Sequence, residues 1–210
     1  MEIVYQIMMG LSLAACAGFR TWLPLFVMGV MARSGHITLN PSMQFLASDT
    51  MLIIFGLASI LEFLGDKFIV VDHFLDAVGT VARPVAGTIL ASSVLTSMDA
   101  PTALILGLIV GGGTALTMHT GKAVVRAKTT MLAGFHGGTG NTALSFGEDF
   151  LSGGISILAF VAPFLAFFFS IFMLGIAVAM IVLGYHAGRH LFSIKSKARS
   201  GGTLAAEQMS

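Results

Sequence analysis

The sequence predicts an all-α, polytopic bundle of transmembrane helices, and three observations carry that expectation. Hydrophobic residues make up 56% of the chain and charged residues only 10%, whereas a soluble domain keeps about a quarter of its residues charged so that it can face water. The tract 151–184 contains no charge at all. Several tracts approach the roughly 20 apolar residues that a helix needs to cross a ~30 Å hydrocarbon layer, and short polar connections separate them.

Taken in order, the first apolar run covers 7–32 and is interrupted by Arg20 and Pro24. The second covers 51–64, the third 77–95 and the fourth 101–118. The last, 151–185, is too long for one crossing, and Pro163 and Ser170 are the places where it could turn. Lys and Arg concentrate on cytoplasmic loops. Six crossings with both termini inside put Lys67, Lys122, Arg126, Lys128, Arg189, Lys195, Lys197 and Arg199 on one face and leave Arg33 outside. Five crossings would split the basic clusters between faces, so six is the expectation, in a bacterial inner membrane. Residues 1–190 form one transmembrane domain, and 191–210 read as a basic, then disordered, cytoplasmic tail. The stretch 134–140, Gly-Phe-His-Gly-Gly-Thr-Gly, reads as a flexible loop. It lacks the Lys-Ser or Lys-Thr of a phosphate loop. Leu13-Ala14-Ala15-Cys16 has the form of a lipobox, but no basic segment precedes it and the apolar run continues past it, so a first membrane helix is the better reading.

The charge inventory excludes other classes. Eleven basic and ten acidic residues are too balanced for a nucleic-acid partner. A single cysteine, Cys16, excludes an internal disulfide and a cysteine-based metal site. Neither a Gly-x-Ser-x-Gly elbow nor a His-Glu-x-x-His helix occurs, so neither an enzyme nor a metal or cofactor is expected.

Ionisable groups at membrane depth are costly, on the order of 3 kcal/mol by insertion scales, and are functional candidates by default. Arg20 lies in Ala17-Gly18-Phe19-Arg20-Thr21-Trp22-Leu23-Pro24, the pattern of a broken helix. Glu62 and Asp66 are four apart on one helical face and would share a proton or attract a cation. Asp72, Asp76, Thr80, Arg83 and Gly87 form a stripe that faces other helices or water. Gly111-Gly112-Gly113 allows tight packing or local unwinding. His119, Lys122 and Arg126 share a face near the cytoplasmic end, where interface anchoring is the plain alternative. Asn141, Ser145, Glu148 and Asp149 make a last stripe, whose acids could also serve only to offset a helix dipole.

These same positions, from Ala17-Gly18-Phe19-Arg20 through Glu62-Phe63, Asp66-Lys67, Arg83-Pro84 and His119 to Glu148-Asp149, resemble the bacterial membrane-protein family grouped as domain of unknown function 4126, over roughly 10–149. The resemblance implies an integral membrane protein with these residues as its recurring polar set, and supplies no activity. The charges themselves suggest an ion-coupled carrier for a small anionic solute or a phosphate-bearing lipid headgroup, surrounded by membrane lipids and forming a homo-oligomer. Arg20, Arg83, Asn141 and Ser145 would bind substrate; Glu62, Asp66, Asp72, Asp76, Glu148 and Asp149 would couple the ion; His119, Lys122 and Arg126 would line the path. A passive channel along the same stripes and a structural protein locked by buried ion pairs are the rivals.

Overall fold

A backbone in hydrocarbon has no water to bond, so apolar tracts adopt the one local structure that satisfies its own N–H and C=O groups. The computed structural model describes residues 2–65, 69–133 and 137–207, with side chains described for 2–65, 75–126, 146–187 and 189. The elements are α1 (Glu2–Phe19), α2 (Trp22–Arg33), a 3-10 segment (Pro41–Ala47), α3 (Asp49–Gly65), α4 (Ile69–Val94), α5 (Ala100–Leu106), a π-helical turn (Gly107–Gly112), α6 (Gly113–Ala133), α7 (Gly137–Val161) and α8 (Pro163–Glu207). No strand occurs among the described residues.

Three contacts define one end of the bundle. Gln6 Nε2 donates to Thr96 Oγ1 at 2.9 Å and to Ser97 Oγ at 2.8 Å. Asn40 Nδ2 donates to the carbonyls of Leu95 at 2.9 Å and Met98 at 3.1 Å. Tyr5 meets Phe164 edge-on, with ring centres 5.0 Å apart. Because Gln6 and Asn40 both reach the turn that follows α4, the chain that goes in along α1 comes back along α2. Its turning point is Arg20-Thr21. α2 then runs antiparallel to α3: Trp22 stacks on Phe55 at 6.2 Å, and at the other end Arg33 pairs with Asp49 at 2.7 Å. The run 7–32, expected to be one crossing, is therefore two helices of opposite direction.

The long tract divides where expected, at Ala162, with Pro163 opening α8, a position that needs no N–H. α8 runs from the Tyr5 end toward the opposite end, where Gly121 packs on Ala177 and Gly184 on Val124. The added reversal at Arg20 leaves the start of α1 and the far part of α8 at opposite ends of the bundle.

Among the described residues, four helices are long and apolar enough to cross a membrane, Glu2–Phe19, Leu75–Val94, Ala100–Arg126 and Pro163–Ala187, and a fifth span results if Pro41–Ala47 and Asp49–Gly65, bent by 63°, count as one. This is a multi-pass all-α membrane protein. The expected count of six differs because α3, at 17 residues, counts as a span only together with the 3-10 segment before it, and because α7 has described side chains only over 146–161. The glycine-rich stretch is already helical from Gly137; 134–136 lie outside the described residues. Leu13, Leu25, Met28, Leu46 and Leu90 fill the interior, while Leu61, Val81, Ile109 and Phe168 point outward with more than half their surface bare, as side chains solvated by lipid do.

Candidate functional site

The turn between α1 and α2 is the centre of the charged region. Pro24 sits in the first turn of α2, where its missing N–H leaves nothing unbonded. The N–H groups of Thr21 and Trp22 begin that helix and need outside acceptors. Glu62, from the last turn of α3, supplies both: its Oε1 accepts from Thr21 at 3.1 Å and its Oε2 from Trp22 at 3.3 Å. On the other side of the break, Lys122 Nζ donates to the Phe19 carbonyl at 3.2 Å. An anion thus meets the positive end of α2 and a cation the negative end of α1, each favourable by the helix dipole. Ser152 Oγ donates to the Cys16 carbonyl at 3.3 Å and ties α7 to the same turn.

From this turn a chain of ion pairs spreads through the bundle. Arg20 Nε lies 2.6 Å from Asp149 Oδ1. Arg83 Nη2 lies 3.3 Å from Asp76 and 3.8 Å from Glu62. Arg126 reaches Asp76 at 3.2 Å and Glu148 at 3.1 Å, and Lys122 reaches Glu148 at 2.7 Å. Arg83 Nη1 also donates to His119 Nδ1. A guanidinium can only donate, so that ring nitrogen is the acceptor and the imidazole proton lies on Nε2, which faces Thr80 Oγ1 at 3.3 Å. Thr80 in turn donates to the Asp76 carbonyl at 3.1 Å.

Among the described side chains, four cations (Arg20, Arg83, Lys122, Arg126) face four carboxylates (Glu62, Asp76, Glu148, Asp149), so the network is neutral. Arg20 and Arg83 are 2% exposed and Glu62 4%. At 1.5 Å per residue, Arg20 lies about 21 Å along α1 from Gln6, roughly two-thirds of the way through a ~30 Å hydrocarbon layer.

The structure thus brings together nine of the positions singled out in the sequence: Arg20, Glu62, Asp76, Arg83, His119, Lys122, Arg126, Glu148 and Asp149. The stripes on α4 and α6 face each other, as their spacing requires. Three details add to the expectation. Lys122 is buried against the α1 terminus and Glu148. Glu148 and Asp149 lie near the middle of α7, where there is no helix end for them to offset. The two arginines expected to hold substrate are bonded to carboxylates of the chain itself. Asp66 lies outside the described residues; Asp72, Asn141 and Ser145 lie on the helical backbones of α4 and α7, with side chains outside the described set. The sequence reading sets Glu62 beside Asp66 as a proton or cation site and does not give its capping role. The unbonded N–H groups implied by a break before Pro24 were the available signal.

A multi-pass helical membrane protein in which nine described ionisable residues are drawn into one charge-balanced network is the class these features define. Over residues 7–182 the chain matches the family described as Domain of unknown function (DUF4126), and it belongs to that family. All nine network residues fall within the match. No curated protein and no solved structure matches it.

Proposed function

We propose that the protein is an ion-coupled carrier in which a small solute anion and the Glu62 carboxylate compete for one cradle. The observation that supports this reading is the place of Glu62: an intramembrane carboxylate fills the gap of a broken helix, bonding the Thr21 and Trp22 N–H groups within reach of Arg83. Half-helix ends at membrane depth are where carriers hold charged substrates, and a helix N-terminus beside a guanidinium suits carboxylate and phosphate groups. Glu62 is in effect a tethered occupant. Its protonation removes the negative charge, loosens its hold on the two N–H groups and on Arg83, and leaves a cationic cradle for a solute anion. Loss of the anion and the proton on the other side restores the internal pair. The resting network is neutral, and so is a monovalent anion with its proton, so transport is electroneutral.

The basic end, with Lys122 and Arg126 and with Arg189, Lys195, Lys197 and Arg199 in the C-terminal part of α8, faces the cytoplasm of an inner membrane by the positive-inside bias. The start of α1 then faces the other side, in place of the same-side termini that the sequence suggests.

The test is uptake of labelled acetate or phosphate into proteoliposomes under an imposed pH gradient. The expected result is gradient-driven uptake that a potassium–valinomycin clamp does not change, that Arg83→Ala abolishes, and that Glu62→Gln uncouples from pH. Uptake unchanged in the Arg20→Ala, Arg83→Ala double variant overturns the role of those arginines. The close pairing of these charges favours a second reading, a helix lock with no transport. It predicts no uptake of either probe, and a fold restored by exchanging Arg20 with Asp149.

A further inference from the structure

The helix that carries three of the network's basic residues is not α-helical throughout. Six residues, Gly107–Gly112, wind as a π-helix between α5 and α6. A π turn holds one residue more than the α-helix it interrupts and is found mostly as single-turn bulges, frequently at functional sites. Its sequence, Gly-Leu-Ile-Val-Gly-Gly followed by Gly113, is poor in α-helix formers, and the glycines also decide where it packs. A Cβ on Gly107 would stand 2.7 Å from the Thr88 carbonyl oxygen and one on Gly112 2.8 Å from Thr88 Oγ1, while one on Gly111 would run into the Gly87 carbonyl. All three therefore face α4. In an α-helix, at about 100° per residue, Gly112 would point about 140° away from Gly107. The wider turn is what brings them to one side.

α4 is weakened at the same level. Pro84 lies inside it and cannot bond the Thr80 carbonyl, while Thr88 Oγ1 donates to the Pro84 carbonyl at 2.8 Å. Two helices with defective ladders thus meet directly above the charged network. Below the π turn, α6 rests on its neighbours through small residues: Gly18 against Ala115 and Met118, and Gly121 against Ala177.

We propose that Gly107–Gly112 is a register hinge whose change from π to α turns α6 by one residue and withdraws His119, Lys122 and Arg126 from their partners together. One residue of α-helix is about 100° of rotation and about 1.5 Å of rise, more than any of these bonds tolerates. One local change therefore releases Arg83 from His119, Asp76 and Glu148 from Arg126, and the Phe19 carbonyl from Lys122. The hinge stands on this geometry; its use in opening the Glu62 cradle rests on the transport reading above.

Two cysteine pairs report the register of α6 in the full chain in liposomes, with Cys16→Ala as background. A Cβ at Gly184 would lie 3.9 Å from Val124 Cβ, within the range a disulfide spans, so Val124→Cys with Gly184→Cys reports the observed register. After a one-residue turn Ala123, exposed here, takes the place of Val124, so Ala123→Cys with Gly184→Cys reports the turned one. Deleting Leu108, which points outward, removes the spare residue and leaves α6 in its observed position with nothing to release. The expected result is that both pairs cross-link on oxidation when the π turn is intact, and that only the 124/184 pair does in the deletion variant. The proposal is overturned if the 123/184 pair forms no faster with the turn intact than without it, or if the deletion abolishes the 124/184 bond. Hydrogen exchange supplies a check that needs no cysteine: amides 107–113 exchange about tenfold faster in the intact chain than in the deletion variant if the turn interconverts. Equal rates overturn it. None of these readouts depends on transport, so the hinge and the carrier can fail separately.

Discussion

Glu148 accepts from two cations at once, Lys122 at 2.7 Å and Arg126 at 3.1 Å. Removing one member of a buried pair strands the other charge, at about 3–5 kcal/mol, whereas replacing both by apolar groups is often neutral. Glu148→Ala is therefore expected to destabilise the protein by about that amount, read as a lowered unfolding midpoint in detergent, and Lys122→Met added to Glu148→Leu to recover part of it. An unchanged midpoint for the single variant would show that the pair contributes nothing. That Glu148 and Arg126 would be polar and inward was legible in the sequence, from spacings of three and four on a helix. Their partners were not, because a pairing between α6 and α7 depends on how the helices are arranged, and one-dimensional spacing carries no information across helices. Glu62 shows the same limit. Its own stripe pointed to Asp66, while its observed partners are N–H groups some forty residues earlier.

At the scale of the element, close approach of backbones holds α4, the π turn and α6 together. Gly111→Val would place its Cβ against the Gly87 carbonyl and the Ala91 methyl, and overpacking of this kind costs about 1–3 kcal/mol. Gly154→Ala meets nothing within 4 Å and is expected to be neutral or to stabilise α7 by up to about 1 kcal/mol. Thermal unfolding of the two side by side separates packing from helix propensity. At the connection before α5, Asp99 Oδ2 accepts the Thr102 N–H at 3.3 Å and caps that helix. Hydrogen bonds from the Thr102 side chain and backbone hold its carboxyl below the ordinary 3.8. A folded-state value lowered in this way gives stability that is present above 3.8 and lost as the pH falls through the depressed value. Asp99→Asn keeps the capping oxygen and removes the titration, so its unfolding midpoint should match the parent's near neutrality and fall less steeply in acid. The Asp99 cap was not singled out in the sequence, whereas helix ends marked by Pro24 and Pro163 were readable in advance, since each has a local chemical reason. The return of α2 was not, because an apolar run of 26 residues fits one long crossing as well as two short helices, and the Glu62 cap that stabilises the turn comes from a distant element.

At the scale of the whole molecule, composition alone dictated a lipid-facing exterior and an interior that must neutralise its own charge. The described network meets that demand with equal numbers of cations and carboxylates, and the outward Leu61, Val81 and Phe168 meet the other. The arrangement also has a consequence for how the protein is made. The α1–α2 turn enters the membrane early, yet its two caps arrive late: Glu62 follows Thr21 by 41 residues, and Lys122 follows Phe19 by 103. Until Glu62 has left the ribosome the first hairpin holds open N–H groups in hydrocarbon, and until Lys122 has left it, more than half of the chain, an open C=O group. A nascent chain halted before Lys122 is therefore expected to hold its N-terminal hairpin less firmly in the bilayer than one that includes α6, which protease accessibility of stalled chains would read.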